Sequence, residues 1–223
     1  MLIVDKVYLA HYSPLEDRKK RIEYEIQKNL ISADWIEKEP SQEEINSMYK
    51  KELWTPRIKE MNFYEIPERT LKKSEISLEY KHIKIYQDII EKNINTALIL
   101  EDDVILEDNF TSKFNFNLSM TPKDWDIIFI GSGCDLHIPI ENQISHVMAY
   151  RKEHPASKCT DSYIIKRKSA EKILKTIVPF CFPIDFELNY QMFINNLNVY
   201  WWEPTLVKQG SQNGLYGSSI QNE

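Results

Sequence analysis

The sequence predicts an α/β fold of three layers, a sheet with helices packed on both sides. Two observations carry this reading. Short apolar runs without polar alternation, at residues 96–100 and 125–130, have the pattern of strands covered on both faces. Between and after such runs stand stretches of helical periodicity, and the strand-then-helix order recurs along the chain. At 223 residues, with 42% hydrophobic, 12% aromatic and 28% charged side chains, the chain suits one domain (1–223) folded throughout around a substantial core.

Residues 1–10 are apolar, but Asp5 and Lys6 interrupt them and no cleavage-site pattern follows, so they read as a first strand rather than a leader. Ser13, Pro14 and Glu16 have the spacing of a capping box with proline in the first turn, which predicts a helix to about Leu30. Ser41 and Glu44 offer a second box. Pro56 and Pro67 stand among aromatics and predict an irregular stretch at 53–67, within a wider excursion at 37–72 suited to a lid or acceptor loop. Ile76, Tyr80, Ile83 and Ile90 recur near helical spacing and predict a long helix over 73–92 that leads into the strand at 96–100. The second apolar run ends at Gly131, Ser132 and Gly133. A strand at 162–166, a helix from Ser169 to about Val178 and a late strand at 199–202 follow. Residues 209–223 are rich in Gly, Ser, Gln and Asn and read as a C-terminal loop or tail.

A net charge of −6 disfavours a broad nucleic-acid footprint and leaves room for a local basic cleft. No apolar run approaches the roughly 20 residues that cross a bilayer. Cys134, Cys159 and Cys181 are widely spaced, with no Cys-x-x-Cys pair, and are expected as reduced thiols of a cytoplasmic protein.

The most informative point is Glu101, Asp102 and Asp103, three adjacent acids at the end of a buried strand. Like charges so placed repel one another unless water or a cation offsets them. Because successive strand residues face opposite sides, Glu101 and Asp103 are expected to share one place and Asp102 to point elsewhere. Ligands of open α/β sheets lie beyond the carboxyl ends of strands, where this cluster falls. A hard divalent ion held there would bridge to a diphosphate. The plain alternative is a solvated acidic turn.

Val7-Tyr-Leu-Ala-His-Tyr-Ser-Pro-Leu-Glu-Asp-Arg18, Ser74-Glu-Ile-Ser-Leu-Glu-Tyr-Lys-His82 and Ala97-Leu-Ile-Leu-Glu-Asp-Asp-Val104, taken in order, resemble segments of glycosyltransferase family 25, the lipooligosaccharide galactosyltransferases and related collagen galactosyltransferases. The first resembles that family's first strand and turn. The second resembles its Gly-Glu-Ile-Gly segment running into Ser-His. The third is similar to its metal motif, and residues 125–131, 161–170 and 183–185 keep its order. The chain departs from the pattern at His11, where the family favours Asn. It does so again at Ser74 and Ser77, where the family favours Gly, and at Lys81, where it favours Ser.

The resemblance implies a GT-A-like three-layer sandwich with a Rossmann-like nucleotide-binding half. It implies a UDP-sugar donor, galactose the first choice, held with Mn2+ or Mg2+ and transferred with inversion to a glycan or protein-linked acceptor. A silent nucleotide-sugar or glycan-binding domain and a metal-dependent nucleotide-sugar hydrolase are the competing readings.

Asp103 and Glu101 are the expected metal ligands. Leu9, Arg18, Lys81, Asp102 and Gln209 are the candidate donor contacts, although Arg18 also fits a surface ion pair and Lys81 a solvated lysine. Asp185 is the candidate base for the acceptor hydroxyl, or else a helix N-cap. Asp161 and Trp202 are candidate acceptor contacts; of Trp201 and Trp202, which alternate on a strand, core packing is the plain reading. His82, alone within a helix, reads as a buried hydrogen-bonding group. Tyr216 and the tail are candidates to close over the donor.

Overall fold

A computed structural model of the chain describes residues 1–62 and 67–211. Seven strands form the main sheet: β1 (Lys6–Ala10), β2 (Asp34–Ile36), β3 (Thr96–Glu101), β5 (Ile127–Phe129), β6 (Ala149–Lys152), β7 (Ser162–Lys166) and β8 (Val199–Trp202). Two short strands, β4 (Val104–Leu106) and β9 (Val207–Gln209), pair antiparallel beside it. The helices are α1 (Glu16–Lys28), α2 (Gln42–Met48), α3 (Trp54–Met61), α4 (Lys73–Glu91), α5 (Phe110–Met120), α6 (Arg167–Leu174) and α7 (Ile184–Ile194).

The strand order is β2-β1-β3-β7-β5-β8-β6. β1, β2, β3, β5 and β8 run one way, while β6 and β7 run against them. Alternation along each strand feeds two cores. Tyr8, Ala97, Ile99, Tyr163 and Trp201 face a layer built from α3, α4, α6 and α7. Val7, Leu9, Leu98, Leu100 and Trp202 face a layer built from α1 and α5. This is the predicted three-layer arrangement, and the apolar runs at 96–100 and 125–130 are apolar because both their faces are covered.

Several expectations need correction. The first strand begins at Lys6, since residues 1–5 make no ladder. The Ser13 box does not form: α1 starts after Leu15 with no side-chain cap, and the Ser13 hydroxyl donates instead to the Glu37 carbonyl at 3.4 Å. The box at Ser41 and Glu44 does form, on α2. Within the stretch expected to be irregular at 53–67, residues 54–61 are helical, because α3 runs through Pro56. That proline is the third residue of the helix, where its missing N–H is one of those without an intrahelical partner in any case. Trp54 and Met61 bury α3 against the core, and Arg57 clamps it to Glu187 of α7 at 2.8 Å. The helix expected from Ser169 runs from Arg167 and stops at Leu174. Gln209 ends a strand rather than opening a loop. Residues 212–223, including Tyr216, lie outside the described residues. Among the described residues no helix is long and apolar enough to cross a membrane.

Candidate active site

The carboxyl ends of β1 and β3 and the start of antiparallel β7 meet at one edge of the sheet. The Glu101 amide donates to the Asp161 carbonyl there at 2.9 Å. After Glu101 the chain turns through Asp102 and Asp103 into β4, and the pairing Val104↔Gln209 brings β9 alongside. The Gly210 amide closes the turn by donating to the Asp103 carbonyl at 2.7 Å. The β4–β9 ladder therefore delivers the side chains of Gln209 and Ser211 to the Asp103 carboxyl, where they hydrogen-bond and favour its charged form. Burial acts more strongly the other way and holds that carboxyl above its ordinary range. Asp103 is only 4% exposed, and its Oδ1 lacks a hydrogen-bond partner among the described residues.

Asp102 is treated in the opposite way. Its carboxylate accepts from His11 Nδ1 at 2.8 Å, the Tyr12 amide at 3.1 Å and Arg18 Nη1 at 3.0 Å. Burial pushes Asp102 up, but His11, Arg18 and the Tyr12 amide together hold it below the usual carboxylate range. It locks the ends of β1 and β3 to α1. Arg18, expected as a donor contact or a surface ion pair, is 8% exposed and spends charge on this lock.

A second group of acids adjoins Glu101. The Thr160 hydroxyl lies 2.8 Å from Glu101 Oε1 and 3.0 Å from Asp185 Oδ1, and the Thr160 amide also donates to that Asp185 oxygen at 3.0 Å. One hydroxyl hydrogen cannot serve two carboxylates, so the trio is suited to holding a shared proton. Burial, then Asp103 and Asp185, push Glu101 well up; burial likewise raises Asp185. Asp185 is the second residue of α7, not its N-cap, which is Pro183.

Asp161 is 1% exposed, accepts from the Ser162 hydroxyl at 2.9 Å, and is pushed by burial to about 8. A Cβ on Gly131 would stand 2.0 Å from Asp161 Oδ2, and one on Gly133 2.6 Å from Oδ1, so only glycine lets this turn lie on the carboxylate. Lys158, buried and lowered to about 8 by that burial, holds its ammonium 5.1 Å from the Trp201 ring centre.

Beside the β3 end opens a cleft. Glu101, Asp102, Asp103, Arg18, Lys81 and Gln209 all line it, as do His11, Ser74 and Ser77. The departures noted at His11, Ser74, Ser77 and Lys81 thus gather in one place. Lys81 is not a solvated lysine: it is 2% exposed, with its ammonium on Glu39 and, at 2.6 Å, on Ser77 Oγ. His82 is buried as expected, with Nδ1 2.8 Å from the Tyr163 hydroxyl, and burial lowers it to about 3, so it stays neutral.

Two candidates are not brought to the site. Leu9 is fully buried in the α1 and α5 core; the residues after it, Ala10 to Tyr12, line the cleft. Trp202 is fully buried too, edge-on to Phe114, with its indole N–H on Thr121 Oγ1 at 2.9 Å, and so has no face to offer a sugar. Thr160, Ser211 and Tyr12 were missed. Thr160 lies 59 residues from Glu101 in sequence and carries no motif of its own.

Among the described residues no three His, Cys, Asp or Glu side chains converge on a point that would hold a metal ion unaided. A Mg2+-like or Mn2+-like ion still fits the donor set. Such ions take hard oxygen donors and are commonly held by one or two carboxylates plus substrate phosphates, and Asp103 presents an unpartnered buried oxygen for that purpose.

Residues 5–188 match a family model described as glycosyltransferase family 25 (LPS biosynthesis protein). Procollagen galactosyltransferase 2 of Homo sapiens is 23% identical over 180 residues, covering 76% of this chain and 27% of that protein. A probable inactive glycosyltransferase 25 family member 3 of Rattus norvegicus is 33% identical over 66 residues, covering 28% of this chain and 12% of its own length. The chain thus spans about a quarter or less of these curated relatives. Among solved structures, a glycosyltransferase involved in glycosylation of the major capsid of PBCV-1 superposes with a TM-score of 0.52 at 12% identity. It covers 97% of this chain and 95% of its own, a likeness of fold and GT-A-like in kind.

Proposed function

The chain belongs to glycosyltransferase family 25, and from that premise we propose that it transfers a hexose, galactose first, from a UDP-sugar to a hydroxyl of a glycan or protein-linked acceptor, with inversion. The observation that carries this reading is Asp103, whose buried Oδ1 is left unpartnered in a cleft that Glu101, Arg18 and Gln209 also line. Asp103, with Glu101 behind it, would hold Mn2+ or Mg2+, and Gln209 and Ser211 would orient the carboxylate. The ion would offset the charge that develops on the diphosphate as it leaves.

The remaining roles belong to the chain's own groups. Asp102 fixes Arg18 and the β1 end so that the nucleotide meets a rigid wall, in a cleft that Lys81 also lines. Asp185 takes the proton of the acceptor hydroxyl as its oxygen bonds to the anomeric carbon and the bond to the diphosphate oxygen breaks. A base raised above the ordinary aspartate range is better matched to neutral pH. Asp161, packed under Gly131 and Gly133, orients the acceptor. Leu9 and Trp202 have no part in this.

A second reading, a silent donor-binding domain, is favoured by the match to a probable inactive family member and by the engagement of Lys81 with Glu39 inside the cleft. Product analysis separates the readings. With radiolabelled UDP-galactose or UDP-glucose, Mn2+ and a panel of glycan and protein-hydroxyl acceptors, the enzyme reading expects label on an acceptor and UDP released only with acceptor present. Equal UDP release with and without acceptor indicates a hydrolase. Binding of UDP without any turnover indicates the silent domain.

A further inference from the structure

Beside Thr160 and Asp161, and not among the residues that line the cleft, two cysteines face each other. Cys134 Sγ and Cys159 Sγ are 2.8 Å apart, although the residues are 25 positions apart in sequence. Cys134 is exposed and Cys159 partly buried. Both residues hold left-handed backbone, φ 55° and φ 68°, which a non-glycine side chain adopts only where its surroundings impose it. The neighbouring turn packs closely on Cys159: a Cβ on Gly133 would stand 2.4 Å from Cys159 Cβ and 2.7 Å from the Lys158 carbonyl.

We propose that Cys134 and Cys159 are a reversible disulfide site that ties the turn at 131–135 to Thr160 and Asp161 and so couples thiol oxidation to the acidic cluster. The chemistry is an exchange with a small external disulfide such as glutathione disulfide. The thiolate of exposed Cys134 attacks one sulfur of that disulfide and expels one glutathione. Cys159 then attacks the Cys134 sulfur and expels the second. The two protein thiols lose two electrons in all, and their two protons end on the two glutathione thiols. Cys134 is the entry point because it is the accessible sulfur; contact with Cys134, then burial, hold the Cys159 thiol up and suit it to the slower, resolving step. Bond formation at about 2.0 Å requires only a small approach of sulfurs already in contact. Cys181 is excluded as partner by its place against Arg57, buried on the α3–α7 side of the sheet.

The turn and the acids are mechanically linked. Gly131 and Gly133 lie directly on the Asp161 carboxylate, and the residue after Cys159 is Thr160, which bridges Glu101 and Asp185. A bond from Cys134 to Cys159 therefore fixes the groups assigned above to the acceptor side, and this coupling rests on the transferase reading. The existence of the bond does not.

The full chain would be equilibrated in glutathione buffers from reducing to oxidising, quenched in acid, alkylated, digested and mapped by mass spectrometry. The expected result is one linked peptide joining Cys134 and Cys159, reversed on return to reducing buffer, with Cys181 alkylated throughout. Separate glutathione adducts on Cys134 and Cys159, or two thiols still alkylatable at the oxidising end, overturn the proposal. Coupling predicts slower amide exchange at Ser132 and Thr160 in the oxidised protein. It also predicts a transfer rate about fivefold lower, the low end of ordinary coupling between sites, with Cys134→Ala insensitive to the buffer. A linked peptide with unchanged exchange and unchanged rate overturns the coupling. No transfer even when reduced overturns the transferase reading, and the peptide map still decides the disulfide.

Discussion

At Asp102 three donors from β1's end and α1 fill the carboxylate, whereas at Asp103, one residue on, an oxygen is left over in an equally buried place. The contrast gives opposite expectations for two adjacent substitutions. Asp102→Ala removes the carboxylate on which His11, Tyr12 and Arg18 converge and is expected to lower stability by about 3 kcal/mol or more, read by chemical denaturation. Asp103→Asn removes one of several mutually repelling acids and is expected to leave stability unchanged or slightly higher while abolishing metal-dependent nucleotide binding. The acid motif itself was legible, because alternation along a strand separates Asp102 from its neighbours. What could not be read was which cation would meet Asp102, since Arg18 reaches it from 84 residues away. Leu9 and Trp202 were misplaced for a related reason: a strand shows its period in sequence, but which of its two faces meets the site depends on the layers around it.

The elements carry their own tests. On α2, the amide of Ser41 foremost, then the Tyr80 hydroxyl, hold the Glu44 carboxyl down at about 2. Its unfolded value is about 4.3. A carboxylate with a depressed folded pKa contributes stability that is fully present above the unfolded value and lost as pH falls through the folded one. Wild-type stability should therefore drop between about pH 4 and pH 2 more steeply than that of Glu44→Gln, as followed by thermal melts across that range. On α3, Arg57 donates to both Glu187 oxygens, at 2.8 and 2.9 Å, and lies 4.7 Å from the Tyr190 ring centre. Arg57→Met should cost about 3–5 kcal/mol by stranding a buried carboxylate, and pairing it with Glu187→Gln should restore much of that. A double-mutant cycle reads both. These elements were unevenly legible. The boxes at Ser13 and Ser41 look alike in sequence, yet Ser13 finds the Glu37 carbonyl and leaves its helix uncapped. Pro56 suggested a break but is harmless in a first turn, where no amide is missed.

For the molecule as a whole, two cores on opposite faces of one seven-stranded sheet leave its carboxyl edge as the place where distant segments meet. The long periodic pieces, α4, β3, β7 and β8, were readable because burial on known faces fixes their composition. The β4–β9 ladder was not. Strands of three residues carry too little pattern, and only their pairing brings Gln209 and Ser211 back to Asp103. That return makes the site a property of the complete sheet rather than of a tripeptide. The most direct measurement is calorimetric titration of the folded chain with UDP-galactose, UDP-glucose and a GDP-sugar, in Mn2+ and in chelator, repeated on Asp103→Ala. The predicted result is binding of a UDP-sugar only with metal, weakened at least about tenfold, or 1.4 kcal/mol, in a variant that melts like the parent. Equal binding in chelator, or no nucleotide-sugar bound by a folded sample with metal present, would contradict a donor site built on Asp103.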